Sequence, residues 1–179
     1  EMRESDWSSD VCSSDLKTKN PISEKPSPNL PNDQSINLYP SLCFFEGTQV
    51  SVGRGTDFPF QVFGSPWLKN YQFKFTPKPN FGAKDPFLNG KICNGEDLRN
   101  YPEIKEKLDL SFVINAYKNF DKKSQEFFLK NLWFDTLAGT DELRKQIISG
   151  KSEEEIRNSW KQDLQNFEKI RTKYRIYED

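Results

Sequence analysis

Two hydrophobic periods meet in this chain, and their order limits the folds open to it. Around Asn70 to Pro77, Tyr71, Phe73 and Phe75 alternate with Gln72 and Lys74, the period of two that sets one strand face in a core and the other in water. From Ile104 the period becomes four: Ile104, Leu108, Phe112, Ala116 and Phe120 form one apolar stripe, as an amphipathic helix requires. Upstream, "SLCFF" (41–45) reads as a short buried strand, and "FPFQVFGSPW" (58–67) as another closed by Gly and Pro. Downstream, helix is predicted to continue around Glu126 to Phe134. The next helix has Thr140 as its N-cap and Gly150 as its left-handed stop. Ser152 and Glu155 form a capping box that opens the last helix. That helix is expected to bury Ile156, Trp160, Leu164, Phe167, Ile170 or Arg171, and Tyr174 on one side. Strands lead and helices follow, which predicts an α+β fold: a small, mostly antiparallel sheet with C-terminal helices packed on one face.

The chain divides by composition into three parts. Residues 1–16, including "DWSSDVCSSDL", match one reading frame of a sequencing-library adaptor and are expected to be a disordered assembly scar outside the fold. Residues 17–40 carry repeated prolines and few apolar side chains, and are expected to run as an extended linker. Residues 41–179 then form the α+β domain, with aromatic side chains supplying an unusual share of its core. Without the first sixteen residues the chain has 25 basic against 22 acidic residues, a net charge of +3. That balance argues against nucleic acid or an anionic membrane as partner. No apolar run reaches the roughly 18 residues of a membrane span, and no export signal is visible.

The residue inventory narrows the chemistry. Histidine is absent, so proton transfer within this chain falls to Asp, Glu, Lys, Tyr or a thiol. Neither a metal site nor a cofactor is implied. Cys43 and Cys93 lack the spacing of a zinc site, and are either a disulfide or two small buried hydrophobes. Chemistry concentrates instead in "FFEGTQVSVGRGTDFPF" (44–60), where Glu46 and Arg54 sit among glycines between aromatic clusters. Gly53 and Gly55, with the hydroxyls of Thr48 and Thr56, can bring backbone N–H groups near an anion or a sugar oxygen. A structural ion pair between Glu46 and Arg54 that pins the loop accounts for the same residues. Trp67, Tyr71, Phe73 and Phe81 are either sugar-stacking platforms or core. Asp97, Arg99 and Glu103 read as surface charges.

"LYPSLCFFEGTQVSVGRGTDFPFQVFGSPW" (38–67), with "FDTLAGTDELRKQI" (134–147) and "GKSEEEIRNSWKQDLQNFEKIRTKYRIY" (150–177), resembles the C-terminal domain of the NamZ-type bacterial exo-β-N-acetylmuramidases. The resemblance implies a glycoside hydrolase that removes terminal N-acetylmuramic acid from the non-reducing end of peptidoglycan fragments. An N-terminal Rossmann-like domain, missing from this chain, would supply the principal catalytic glutamate, and the cleft would lie between the two domains. By the same resemblance Glu46, Gly47, Thr48, Gly53, Arg54, Gly55 and Thr56 line the cleft-facing loop, Glu46 as an auxiliary catalytic group and the others as substrate-binding residues. Gln49, also placed at the substrate, stands where the family usually has Asn. The expected partners are muramic acid glycosides and the missing domain, in the periplasm or outside the cell, and this chain alone is expected to be inactive. The alternatives are a non-catalytic peptidoglycan-binding module or a structural interaction domain.

Overall fold

A computed structural model describes residues 23–102 and 108–175. The expectations placed on residues 1–22, on Glu103 and on Ile104 lie outside them. The fold opens with a helix. α1 (Asp33–Leu42) begins at a capping box, in which Asn32 accepts from the Ser35 N–H and Ser35 closes back on the Asn32 N–H. It buries Leu38 and Leu42 one turn apart. The extended course expected up to Pro40 therefore ends at Asp33. Pro40 is tolerated within the helix, and the proline-rich composition concealed a strong start signal. The strand expected over 41–45 is likewise helical: Leu42 ends α1, and Cys43–Gly47 continues as a 3-10 turn. The buried aromatics there mark a turn wedged into the core.

Three short strands form one antiparallel sheet in the order β1 (Val62–Ser65), β3 (Cys93–Asp97), β2 (Phe73–Phe75). Gly64 stands opposite Gly95, and Gly95 also faces Phe73. The middle strand has a glycine where a side chain would strike the Phe63 carbonyl, so the strands close at that point because no Cβ intervenes. β1 is buried on both faces. Its Phe63 points into the main core with Phe45 and Phe112, and its Val62 into a smaller cluster with Phe75, Leu88 and Cys93. Phe73 and Phe75 share that smaller cluster. Tyr71 lies outside β2 and packs edge-on to Phe63 at 5.7 Å on the other side, so the predicted single face is split.

The later helices are α2 (Ser111–Lys118), α3 (Trp133–Ala138), α4 (Glu142–Ile148) and α5 (Glu153–Arg171), and a 3-10 turn (Thr172–Tyr174) follows. Phe112, Val113, Phe134, Ile147 and Ile156 carry them onto the main core. The molecule is thus α+β with a small antiparallel sheet, as its periods predict, although a helix precedes the strands. Helix does not extend over 126–132, because Phe128 pairs with Thr48 in an isolated antiparallel bridge. Gly150 has φ +81°, and the Ser152–Glu155 capping box forms. The N-cap position of α4 falls on Asp141 and not on Thr140, although Thr140 accepts from the Glu142 N–H at 3.2 Å. The predicted stripe of α5 holds only at its start: Ile156 is buried and Trp160 half-buried, whereas Leu164, Phe167, Ile170 and Tyr174 are exposed. No helix among the described residues is long and apolar enough to cross a membrane.

Candidate functional site

The 3-10 turn after α1 presents Glu46 between the buried rings of Phe44 and Phe45 and the buried Gly47. Gly47 is dictated by packing. A Cβ there would come within 2.7 Å of Phe134 Cβ and nearer still to the Phe134 N and Cα, where α3 begins. The chain then threads between two neighbours, with Thr48 bridged to Phe128 and Ser51 to Gly64 of β1. Gly53 and Gly55 follow with φ of +78° and +81°, conformations that L-residues with side chains adopt rarely. Thr56 Oγ1 closes the bend by donating to the Gly53 carbonyl at 2.6 Å and accepting from the Phe58 N–H at 3.2 Å. Arg54, between the two left-handed glycines, is turned back onto the 3-10 turn.

The guanidinium meets Glu46 along one edge. Nε and Nη2 both donate to Glu46 Oε1, at 3.0 and 2.7 Å, and the Arg54 Cζ lies 4.9 Å from the centre of the Phe60 ring. The side chains are 36 % and 25 % exposed, so water screens the pair and it contributes about 0–1 kcal/mol to stability. Among the described residues Glu46 Oε2 and Arg54 Nη1 have no protein hydrogen-bond partner. The end edge of the guanidinium, one N–H from each Nη, thereby keeps the paired geometry that suits a carboxylate. Glu46 Oε2 remains an acceptor for a hydroxyl or amide N–H. Both residues border a cavity of about 210 Å³ whose other walls are mostly apolar: Phe45, Val50, Val52, Phe87 and Leu129, with Thr48 and Ser51.

The fold thus brings Glu46, Arg54 and Thr48 to one cavity and assigns different work to the other candidates. Thr48 is 1 % exposed, and its hydroxyl donates to the Phe45 carbonyl at 2.8 Å while accepting from the Val50 N–H at 3.2 Å. Gly47, Gly53 and Gly55 are buried against the protein's own chain: Gly53 meets Val62, and Gly55 meets the Lys78 carbonyl and Pro86. Gln49 borders a separate, more polar hollow of about 600 Å³ with Lys122, Lys123 and Lys130. Phe87 and Leu129 are cavity residues without a sequence signal, since each comes from a distant loop with no motif of its own. Of the aromatic candidates, Trp67, Tyr71 and Phe73 are half-buried, and Phe81 is 93 % exposed on the Asn80–Ala83 turn.

Cys43 and Cys93 are free thiols. Burial pushes Cys93 up to about 12; Cys43 is raised by burial and by the Glu46 charge. Away from the cavity, burial and then the Asp109 charge raise Glu96, and burial with Glu96 lifts Tyr71 to about 12. Asp97 is paired with Arg99 at 2.6 Å, an exposed pair whose guanidinium lies over Phe58 and Phe73.

Comparison with known proteins gives this loop and its scaffold a family. Residues 37–177 match the model described as exo-beta-N-acetylmuramidase NamZ, C-terminal. The chain is 36 % identical over 166 residues to the peptidoglycan beta-N-acetylmuramidase NamZ of Bacillus subtilis (strain 168), a match that takes in 85 % of this chain and 40 % of that protein. A DUF1343 family protein of Bacteroides fragilis, solved at 1.30 Å, superposes with a TM-score of 0.79 at 42 % identity, over 91 % of this chain and 46 % of that one. A second DUF1343 protein from the same organism shares the fold, with a TM-score of 0.58 at 16 % identity, over 85 % of this chain and 44 % of its own. The chain spans less than half the length of each of these proteins. The matched span includes the Glu46–Arg54 bend and α1 to α5 almost entire, and the chain belongs to the NamZ family, in which it corresponds to the C-terminal domain.

Proposed function

We propose that this chain is one part of a peptidoglycan exo-β-N-acetylmuramidase and that the Glu46–Arg54 cavity forms one wall of its sugar cleft. The other wall, with the principal catalytic glutamate, belongs to the part of the relatives' length that this chain does not match. The observation that carries the reading is the one-edged ion pair, in which Arg54 uses Nε and Nη2 on a single oxygen of Glu46. Two parallel N–H donors of Arg54 remain without a protein partner among the described residues, and Arg54 borders a cavity that is otherwise largely apolar.

N-acetylmuramic acid carries a lactyl carboxylate beside a methyl group. The free guanidinium edge binds the carboxylate with two hydrogen bonds, and Phe87 and Val52 face the methyl. Glu46 Oε2 accepts from a sugar hydroxyl or the acetamido N–H, or assists protonation of the glycosidic oxygen beside the absent catalytic carboxyl. The enzyme works on cell-wall fragments in the periplasm or outside the cell, and this chain alone does not hydrolyse them.

To test this, the part of the Bacillus subtilis relative that this chain does not match is joined ahead of Lys17. Turnover is then followed on a muramic acid glycoside and on its analogue without the lactyl group. Arg54→Lys keeps the charge and loses the fork, so it lowers kcat/KM on the muramic substrate about 10- to 100-fold and leaves the analogue nearly unchanged. Equal losses on both substrates remove the lactyl assignment. Unchanged turnover on both reduces Arg54 to a pin for the loop.

A further inference from the structure

The face of α5 that meets the core continues past the point where the core stops. At about 100° per residue, Ile156, Trp160, Leu164, Phe167 and Ile170 fall within roughly a third of the helix circumference. Ile156 is fully buried and Trp160 half-buried. Arg157 fastens the same end of the helix by donating to Glu153 at 2.6 Å and to the Leu108 carbonyl. From Lys161 to Tyr174 every residue except Glu168 is exposed. Leu164, Phe167, Ile170 and Tyr174 stand 59, 59, 55 and 78 % in solvent. The helix therefore overhangs the rest of the described residues by about 20 Å, and none of them covers its apolar stripe. A contiguous apolar surface of this kind is characteristic of an interface, unlike a scatter of single exposed side chains.

We propose that this stripe is the docking surface for the part of the polypeptide that the relatives have ahead of the matched region. The inference rests on the reading that this chain is one part of a longer enzyme. Its first support is where the matches lie: the family match is to a C-terminal domain and runs through residue 177, taking in the whole overhang. The solved relative at 42 % identity superposes on 91 % of this chain while having more than half of its own length elsewhere. Its second support is continuity. The anchored and free stretches lie on one helical face, so this domain grips α5 at its first two turns and offers the next turns, in the same orientation, to another body. The surface that fits is an apolar groove or helix face of that preceding part. Glu168, paired with Arg171 at 3.1 Å and with Arg175 at 3.5 Å, stays at its polar edge.

The test compares the 179-residue chain with the joined polypeptide described above, by amide hydrogen exchange along residues 160–174. Docking slows exchange there by about tenfold or more in the joined protein relative to the chain alone. Phe167→Ser with Ile170→Ser leaves the melting temperature of the chain alone within about 1 °C, lowers that of the joined protein by several degrees, and restores fast exchange. Equal exchange in both proteins overturns the proposal. So does self-association of the 179-residue chain in sedimentation that the double substitution abolishes, since the occupant is then a second copy. The intact Bacillus subtilis relative, followed at the helix aligned with α5, gives a reading free of any mismatch between joined parts, and an unprotected helix there also overturns it. Hydrolysis with an unprotected helix removes the docking alone, whereas protection without hydrolysis removes the enzymatic reading and leaves the docking standing.

Discussion

Replacing Gly47 by alanine tests how the candidate site is held, because Gly47 has no unusual φ and the substitution acts through crowding alone. The new Cβ would sit 2.7 Å from Phe134 Cβ, and closer to the Phe134 backbone. Ordinary carbon contact is about 3.5 Å or more, so α3 and the 3-10 turn must part by roughly 1 Å. Phe134 is fully buried, with its ring 5.7 Å from that of Phe44 and 4.8 Å from that of Phe128. A gap of that size removes about a quarter to a half of each contact it opens, on the order of 2 kcal/mol for one face of a ring. Residual crowding adds about 1–2 kcal/mol, and the stiffer unfolded chain returns about 0.4–1 kcal/mol. The net expected loss is about 2–3.6 kcal/mol, or roughly 4–14 °C in Tm for a domain of this size. Urea and thermal unfolding followed by circular dichroism measure it. Because backbone atoms of Phe134 are among the obstructions, Phe134→Leu in the Gly47→Ala background does not restore the lost stability. Gly139→Ala is the control: its φ is +72° with nothing within 4 Å of the added carbon, and it costs only the backbone term of about 1–2 kcal/mol. A loss below about 1 kcal/mol at Gly47, or recovery through Phe134→Leu, would refute the seating of α3 against this turn.

On α5, Ile156→Ala costs about 2–5 kcal/mol, whereas Leu164→Ala, on the same face but 59 % exposed, stays within about 0.5 kcal/mol in the 179-residue chain; equal losses in urea titrations would contradict the overhang. Glu96 has its folded pKa raised above the ordinary 4.5 by burial and by Asp109, so the native state binds its proton more tightly than the unfolded state. Its contribution to stability is full below the unfolded pKa and falls as pH rises through the raised folded value; Glu96→Gln flattens that decline in urea titrations above pH 4.5. Cys93 is buried, with its thiol pushed up to about 12. In a chain carrying Cys12→Ser and Cys43→Ser it stays unlabelled by a thiol reagent at about pH 8 until the protein unfolds, and rapid native labelling would show that the small core cluster is open.

The parts of this fold that were legible in the sequence are those set by local rules. The Ser152–Glu155 box and Gly150 are satisfied within one or two turns, and Glu46 and Arg54 meet across only eight residues, with the positive-φ Gly53 directly before the arginine. β3 was not legible. "CNGED" has almost no strand-forming residue, and it occupies the middle of the sheet because Gly95 admits close neighbours on both sides, a tertiary condition. α1 was hidden because proline content outweighed the Asn32 cap, and Phe87 and Leu129 reach the cavity through long-range closure. The stripe of α5 is apolar as its period predicts, but the burial predicted for it fails beyond Trp160, because periodicity specifies a face and not what it meets. Of the sugar-binding candidates, Thr48 borders the cavity while its hydroxyl is engaged by the Phe45 carbonyl and the Val50 N–H, and Gly47, Gly53 and Gly55 pack against Phe134, Val62, and Lys78 with Pro86.

A bend clamped at Gly47 by α3, at Gly53 by β1 and at Gly55 by the Lys78 carbonyl and Pro86 has little freedom left to lose when a ligand arrives. On the proposed reading, recognition at Arg54 would begin from a shape already set during folding, so almost none of the contact energy would be consumed in ordering the loop. The corresponding vulnerability is remote: a change at Phe134 or Pro86, touching no sugar, can misplace the guanidinium as effectively as a change at the bend itself.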